Sequence, residues 1–232
     1  MTTRSPVALI TGASRGLGAA LARQLAAAGY AVVAVARPSA DLGRVVREIR
    51  AAGGQAWPVA EDLGDPDAAT RIAARASALA GPVDLLIHNA STLGPTPLRP
   101  LLDTAPADFE RVLQVNLLGP FRLTRAVAGQ MDLRGQGTVL TLSSDAAVEA
   151  YPTWGAYGVS KAALDHLVRI WAQELPHVRF VAVDPTEMDT AMHAAALPDA
   201  DPATLADPRD IAARVVALLA TDTPTGTRTV AA

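Results

Sequence analysis

Val7-Ala8-Leu9-Ile10-Thr11-Gly12-Ala13-Ser14-Arg15-Gly16-Leu17-Gly18 decides how this chain folds. Val7 to Ile10 reads as a short buried strand, and a glycine-rich turn follows at once. Leu17, Ala20, Leu21, Leu25 and Ala28 then recur at helical spacing until Gly29 ends the run. A strand that turns directly into a helix is the first unit of an alternating α/β chain.

The pattern continues outward from that stretch. Further apolar runs lie at Ala31–Ala36, Gln55–Val59, Val83–His88, Thr138–Leu142 and Val178–Val183, with a last candidate at Gly226–Ala231. Their apolarity is continuous rather than alternating, which predicts strands covered on both faces, as in a parallel sheet. Asp65-Pro66 and Asp207-Pro208 resemble helix starts, with Asp as N-cap and Pro at the first helical position. Ala105–Met131 predicts one long helix and Ala156–Leu175 another, with Leu164, Leu167, Val168, Trp171 and Leu175 on one face. The fold class predicted is a doubly wound parallel α/β sheet, Rossmann-like, in one domain spanning residues 1–232. Pro185 to Ala206 is the least regular segment, a loop long enough to serve as a substrate lid.

Composition narrows the function. The 232 residues carry a net charge of −3, which argues against phosphate-driven nucleic-acid binding. There is no cysteine, so thiolate catalysis and Cys-based metal sites are excluded. His166, His177 and His193 lack ligand-like spacing, and no metal site is expected. No apolar run approaches a membrane span, and Met1-Thr2-Thr3-Arg4-Ser5-Pro6 lacks the apolar stretch of a signal peptide. A soluble cytoplasmic protein is expected.

The glycine turn has two readings. The first N–H groups of a helix lack partners and carry partial positive charge, so a pyrophosphate can dock there if no Cβ intervenes. Gly12, Gly16 and Gly18 supply that clearance; alternatively they only permit tight strand–helix packing. Arg15 lies in the turn, and Arg37 follows the second strand, where Ala36 stands in place of the acidic residue that an NAD site places on the ribose. Two guanidinium groups suit a 2′-phosphate and favour NADP(H).

Tyr157 and Lys161 share one helix face at i and i+4. A positive charge about 4 Å from a phenol, at an effective dielectric of about 20, gives about 4 kcal/mol, which would lower a tyrosine pKa by roughly three units. That predicts a general acid, the plain alternative being an exposed surface pair. Ser143 and Ser144 end a strand where active sites of open α/β sheets lie, or else simply cap a loop. Asn116 sits inside an apolar helical run, for a structural hydrogen bond or to hold a water that relays protons to Lys161.

Taken in order, these residues resemble the short-chain dehydrogenase/reductase family from Val7 to about Val230. Thr11-Gly12-x3-Gly16-x-Gly18 matches the family's cofactor turn, which brings in Ser14, Arg15 and Leu17. Asp62-Leu63 matches the adenine-contacting pair, and His88-Asn89-Ala90-Ser91 resembles Asn-Asn-Ala-Gly. Asn116, Ser144, Tyr157 and Lys161 match the catalytic tetrad, with Ser144 thirteen positions before the tyrosine. Pro185 and Thr190 match the ends of the segment that holds the nicotinamide carboxamide. Thr186 departs from the family's glycine, His88 and Ser91 replace Asn and Gly, and Thr229-Val230-Ala231-Ala232 lacks the common close.

The resemblance implies an NADPH-dependent reductase of an aldehyde, ketone or quinone, with Tyr157 as general acid. It also implies a homodimer or homotetramer built on the two long helices, with Ile170 and Trp171 adding apolar surface. Oxidation of an alcohol by the same site is an alternative, as is a non-catalytic NADP-binding sensor or scaffold. Ala146, Val148, Tyr151, Trp154, Leu93, Met188, Met192 and Leu197 are the candidate lining of an apolar pocket, or ordinary core residues.

Overall fold

Seven strands form one sheet in the order β3-β2-β1-β4-β5-β6-β7, here seen in a computed structural model that describes residues 4–231. They are β1 Val7–Thr11, β2 Ala31–Ala36, β3 Ala56–Ala60, β4 Leu85–His88, β5 Thr138–Leu142, β6 Arg179–Asp184 and β7 Thr227–Val230. Every neighbouring pair is parallel. The sequence expectations about the start and the end fall partly on Met1 to Thr3 and on Ala232, which lie outside the described residues.

Continuous apolarity in the strands has the expected cause. Ala8, Ile10, Val32, Ala34, Leu140 and Val181 pack into one core layer, while Val7, Leu9, Val33, Leu86, Val139 and Phe180 pack into the other. Successive strand residues point to opposite faces, and helices cover both. Helices α1 (Gly16–Ala27), α2 (Ala40–Ala51) and α8 (Pro208–Leu219) supply the first layer. The second is built by α3 (Ala68–Ala80), α5 (Gly119–Leu133) and α6 (Gly155–Glu174). Each fully buried Leu or Ile contributes roughly 2 kcal/mol.

Three expectations need correction, two about helices and one about a loop. Asp65 does not cap α3: it caps a turn, accepting from the Asp67 N–H at 3.0 Å, and the helix starts at Ala68. Ala105–Met131 is not one regular helix. It runs as α4 (Pro106–Leu113), a π turn over Gln114–Leu118, and α5. Pro120 explains the π turn: it has no N–H to offer the carbonyl four residues back, which is that of Asn116. The segment from Pro185 to Ala206 is more ordered than expected. It holds α7 (Ala191–Ala196) and is closed at its neck by Asp189 N–H to Ala206 O at 3.0 Å and Ala206 N–H to Glu187 O at 3.2 Å.

Strand order reverses at β1 and β4. From β1 the chain builds toward β3, and from β4 toward β7. Their carboxyl ends therefore diverge into a crevice, the usual ligand position in open α/β sheets.

Candidate active site

The glycine turn lies on one side of that crevice. Gly12 and Gly16 adopt φ of 68° and 53°, which L side chains rarely do. A Cβ on Gly18 would collide with the Gly12 carbonyl, and one on Gly12 would stand 2.6 Å from Asn89 Nδ2. Those two glycines thus serve close packing. At Gly16 an added Cβ meets only the Thr190 methyl, at 3.5 Å, so that side is open. Arg15 is the N-cap of α1 and its side chain caps nothing; no acidic residue fills the first turn. The N–H groups there remain available, with Ser14 beside them and Leu17 buried beneath. Among the described residues neither Arg15 nor Arg37 forms an ion pair, and both are exposed.

Asn89 braces the turn. Its amide donates to the carbonyls of Thr11 at 2.9 Å and Gly12 at 3.1 Å, and Thr11 Oγ1 accepts from the Asn89 and Ala90 N–H groups. Farther along the edge, Asp62 accepts from Gly64 N–H at 2.9 Å and Arg111 at 2.7 Å, next to buried Leu63. Burial acts to raise the Asp62 carboxyl, but those bonds and the charges of Arg111 and Arg37 leave it below its ordinary value. Arg37 and Asp62 therefore belong to one edge of the crevice. Pro185 is buried at the end of β6, and Thr190 caps α7 by accepting from the His193 N–H at 3.2 Å.

The tetrad candidates converge beside the turn. Asn116 sits in the π turn, 1% exposed; its amide donates to Thr92 O at 2.9 Å and Ser160 Oγ at 3.0 Å, and its oxygen accepts from Thr92 N–H at 2.8 Å. The side chain is fully used by protein atoms. Ser144 Oγ donates to Asp145 Oδ1 at 2.9 Å and accepts from Ala146 N–H at 3.2 Å. Lys161 Nζ donates to Leu142 O at 2.7 Å and stands 5.5 Å from the Tyr157 ring centre. Trp154 meets Tyr157 edge to face, ring centres 5.6 Å apart.

The electrostatics differ from the sequence expectation. Burial pushes Tyr157 up to about 12, with Ser144 and Ser91 drawing it down and Asp145 and Asp184 raising it further. Lys161 does not bring this phenol into the neutral range, because burial acts more strongly on both groups. The lysine itself is lowered to about 8 by burial, against the raising charges of Asp165 and Asp184.

The candidate pocket residues do not all come together. Leu93, Ala146 and Tyr157 form a small cluster with Trp154 and Met192 against it. Val148, Tyr151 and Leu197 are exposed, and Met188 packs on the sheet core. A cavity of about 160 Å³ opens on Tyr157 between Leu93, Leu98, Trp154 and Val112, with Arg99, Asp103 and Asp108 on its rim. It is more polar than expected.

Other site residues were not legible as such. His88 bonds Thr124 Oγ1 at 2.9 Å, while its Nδ1 and the Ser91 hydroxyl are buried without a protein partner. Both stand where the family motif is broken, and that was the available signal. Asp145, Asp165 and Arg228 carried none beyond their charge.

A dinucleotide-type cradle facing a Tyr, Lys and Ser cluster across the switch point of a parallel sheet defines a Rossmann-like oxidoreductase. The chain belongs to the short chain dehydrogenase family, whose sequence profile matches residues 6–201. It is 38% identical over 224 residues to an uncharacterized oxidoreductase of Mycobacterium tuberculosis, covering 91% of this chain and 84% of that one. To the carbonyl reductase (NADPH) 2 of Sus scrofa it is 38% identical over 188 residues, 80% of this chain and 72% of the other. A short chain dehydrogenase of Pseudocercospora fijiensis is 40% identical over 171 residues, which span 72% of this chain but only 54% of the fungal protein. Among solved structures, a short chain dehydrogenase of Shigella flexneri complexed with NADP superposes with a TM-score of 0.91 at 29% identity, covering 98% of this chain and 97% of the other.

Proposed function

We propose that the protein is an NADPH-dependent reductase that delivers a hydride to an aldehyde, ketone or quinone carbonyl. One observation carries the reading: buried Tyr157 lines the cavity with the half-buried Ser144 hydroxyl acting on it, on the same sheet edge as an uncapped helix N-terminus and two unpaired arginines. The carbonyl reductase of Sus scrofa and the NADP complex from Shigella flexneri support the same cofactor and reaction class.

The residues fit a nicotinamide dinucleotide. The open side of Gly16 and the free N–H groups of α1 suit its pyrophosphate, with Ser14 and Gly12 in the turn. Arg15 and Arg37 take the 2′-phosphate, Asp62 and Leu63 the adenine end, and Pro185 and Thr190 the carboxamide. When bound, the nicotinamide supplies the hydride; the chain supplies binding, orientation and the proton.

Tyr157 donates its proton to the carbonyl oxygen. At neutral pH it is fully protonated, since burial holds it at about 12. Ser144 turns its hydroxyl from Asp145 to the same oxygen, orienting and stabilising it. Lys161, below its value of about 8, is mostly ammonium; it binds ribose hydroxyls and lends positive charge as the phenolate develops. Asn116 supports a water relay to Lys161 through its main-chain carbonyl, which Pro120 leaves without an α-helical donor.

The segment from Pro185 to Ala206 acts as a lid that excludes water. Exposed Ile170 and Val159 on α6, with half-buried Trp171 stacked between Phe121 and Phe180, fit a homodimer or homotetramer, which light scattering tests. Among the described residues no helix is long and apolar enough to cross a membrane, and a cytoplasmic location, checked by cell fractionation, suits the reading. The direct test is a panel of small aldehydes, diketones and quinones followed by NADPH absorbance, with NADH alongside. No oxidation of either cofactor across the panel would contradict the reading and favour the sensor or scaffold alternative.

A further inference from the structure

Behind Ser144 and Lys161 lies a cluster of buried charge that the reaction scheme leaves unused. Arg228 reaches in from β7, at the far edge of the sheet. Its Nη2 donates to Asp184 Oδ2 at 2.7 Å and to the main-chain carbonyl of Ser144 at 2.9 Å. Its Nε stands 3.2 Å from Asp165 Oδ2. Ser143 Oγ donates to the same carboxylate oxygen at 2.7 Å. The side chains of Asp165 and Asp184 are 4% and 9% exposed, and that of Arg228 is 20% exposed. Asp165 follows Lys161 by four residues on α6, so the two share a helix face.

Such a cluster needs a reason. A buried ion pair costs desolvation and is often no more stabilising than apolar residues of equal volume. Here two positive charges, Lys161 and Arg228, stand against two negative ones, Asp165 and Asp184. The group is balanced only while Lys161 is an ammonium. Burial would strip that proton, and Asp165 and Asp184 act against it. In the reverse sense, burial pushes the Asp165 carboxyl up, while Ser143, Arg228 and Lys161 oppose it.

We propose that Asp165 and Arg228 are positioning residues for proton transfer: Asp165 supplies the negative charge that keeps Lys161 an ammonium, and Arg228 balances that charge while fixing the main chain of Ser144. The inference rests on the reductase reading for its purpose but not for its measurement. The groups facing Lys161 are Asp165 and Tyr157 from α6, the Leu142 carbonyl from β5, Asp184 from β6 and neutral His88 from β4. Arg228 enters from β7 through the two carboxylates.

Lys161 is the only lysine among the 232 residues. Isotopically labelled lysine therefore gives one side-chain NMR signal, whose titration reads Lys161 without substrate or cofactor. The midpoint is expected near 8 in the native chain. Asp165→Asn removes a negative charge and should lower it by about one pH unit, whereas Arg228→Met removes a positive charge and should raise it by a similar amount. Asp165→Glu should return it close to the native value. The alkaline limb of NADPH-dependent reduction should move the same way in each variant. Opposite shifts from two neighbouring substitutions are not what general loosening produces. A midpoint unmoved in Asp165→Asn, or moved the same way in Asp165→Asn and Arg228→Met, overturns the proposal. If Arg228→Met fails to fold, the Asp165→Asn and Asp165→Glu pair decides alone. Shifts as expected in a chain that reduces no carbonyl would uphold the cluster and count against the reductase reading.

Discussion

The N–H of Thr186 donates to Oδ1 of Asp184 at 3.0 Å, folding the chain back just after β6 and holding Thr186 at a φ of 63°. A β-branched residue in the left-handed region is strained by about 1–2 kcal/mol. The conformation explains why the family uses glycine there. It also places a stiff joint at the base of the segment proposed as a lid.

Thr186→Gly should relieve that strain but give back part of the gain as backbone entropy, so stability should change by less than about 1 kcal/mol. The freed joint should instead speed hydrogen exchange across residues 185–206 and weaken NADPH binding a few-fold, because more order must be imposed on binding. NADPH should slow that exchange in both chains. Unchanged exchange and affinity beside a large shift in melting temperature would assign Thr186 a purely structural role.

The proposed preference for NADPH rests on Arg15 and Arg37. Replacing both with alanine should weaken NADPH by roughly tenfold to a hundredfold and NADH far less, since only the former carries a 2′-phosphate. Calorimetric titration of each cofactor against native and double-substituted chains measures this. Equal affinity of the native chain for the two would reject the preference.

His88 makes an acid-stability prediction. Burial, with a smaller contribution from Lys161, lowers it from 6.5 to about 3. Between those values the unfolded chain binds a proton that the folded chain does not, so stability falls as pH drops from 6.5 toward 3. The loss approaches about 5 kcal/mol at the acid end. Denaturant midpoints measured against pH should fall less steeply for His88→Gln. Parallel curves for the two chains would show that His88 does not carry the effect.

Most of the strands were legible because they are apolar on both faces, as Ala-Val-Val-Ala-Val-Ala at β2 shows, whereas β7, Thr-Arg-Thr-Val, is a half-exposed edge strand. Helix α2 carries the same kind of signal: Leu42, Val45, Val46 and Ile49 recur at helical spacing as its buried stripe behind a Ser39 cap. The π turn was harder, since it depends on reading Pro120 against a carbonyl four residues earlier rather than as a local breaker. Tyr157 and Lys161 were readable as an i, i+4 pair on one helix face, while their grouping with Asn116 and Ser144 came from the resemblance to the family. Their charge state could not be read, because the burial that raises Tyr157 and lowers Lys161 is set by three dimensions. Nor could Arg228, which reaches Asp165 from 63 positions away across two strands.

In the proposed reaction Tyr157 supplies the proton. The decisive measurement is carbonyl-dependent oxidation of NADPH by native protein and by Tyr157→Phe, with NADPH affinity measured on both. Reduction should fall by at least a hundredfold in the variant while NADPH affinity stays within a few-fold of native, since general acid catalysis is worth that much and the ring is retained. Near-native turnover by Tyr157→Phe would contradict the assignment.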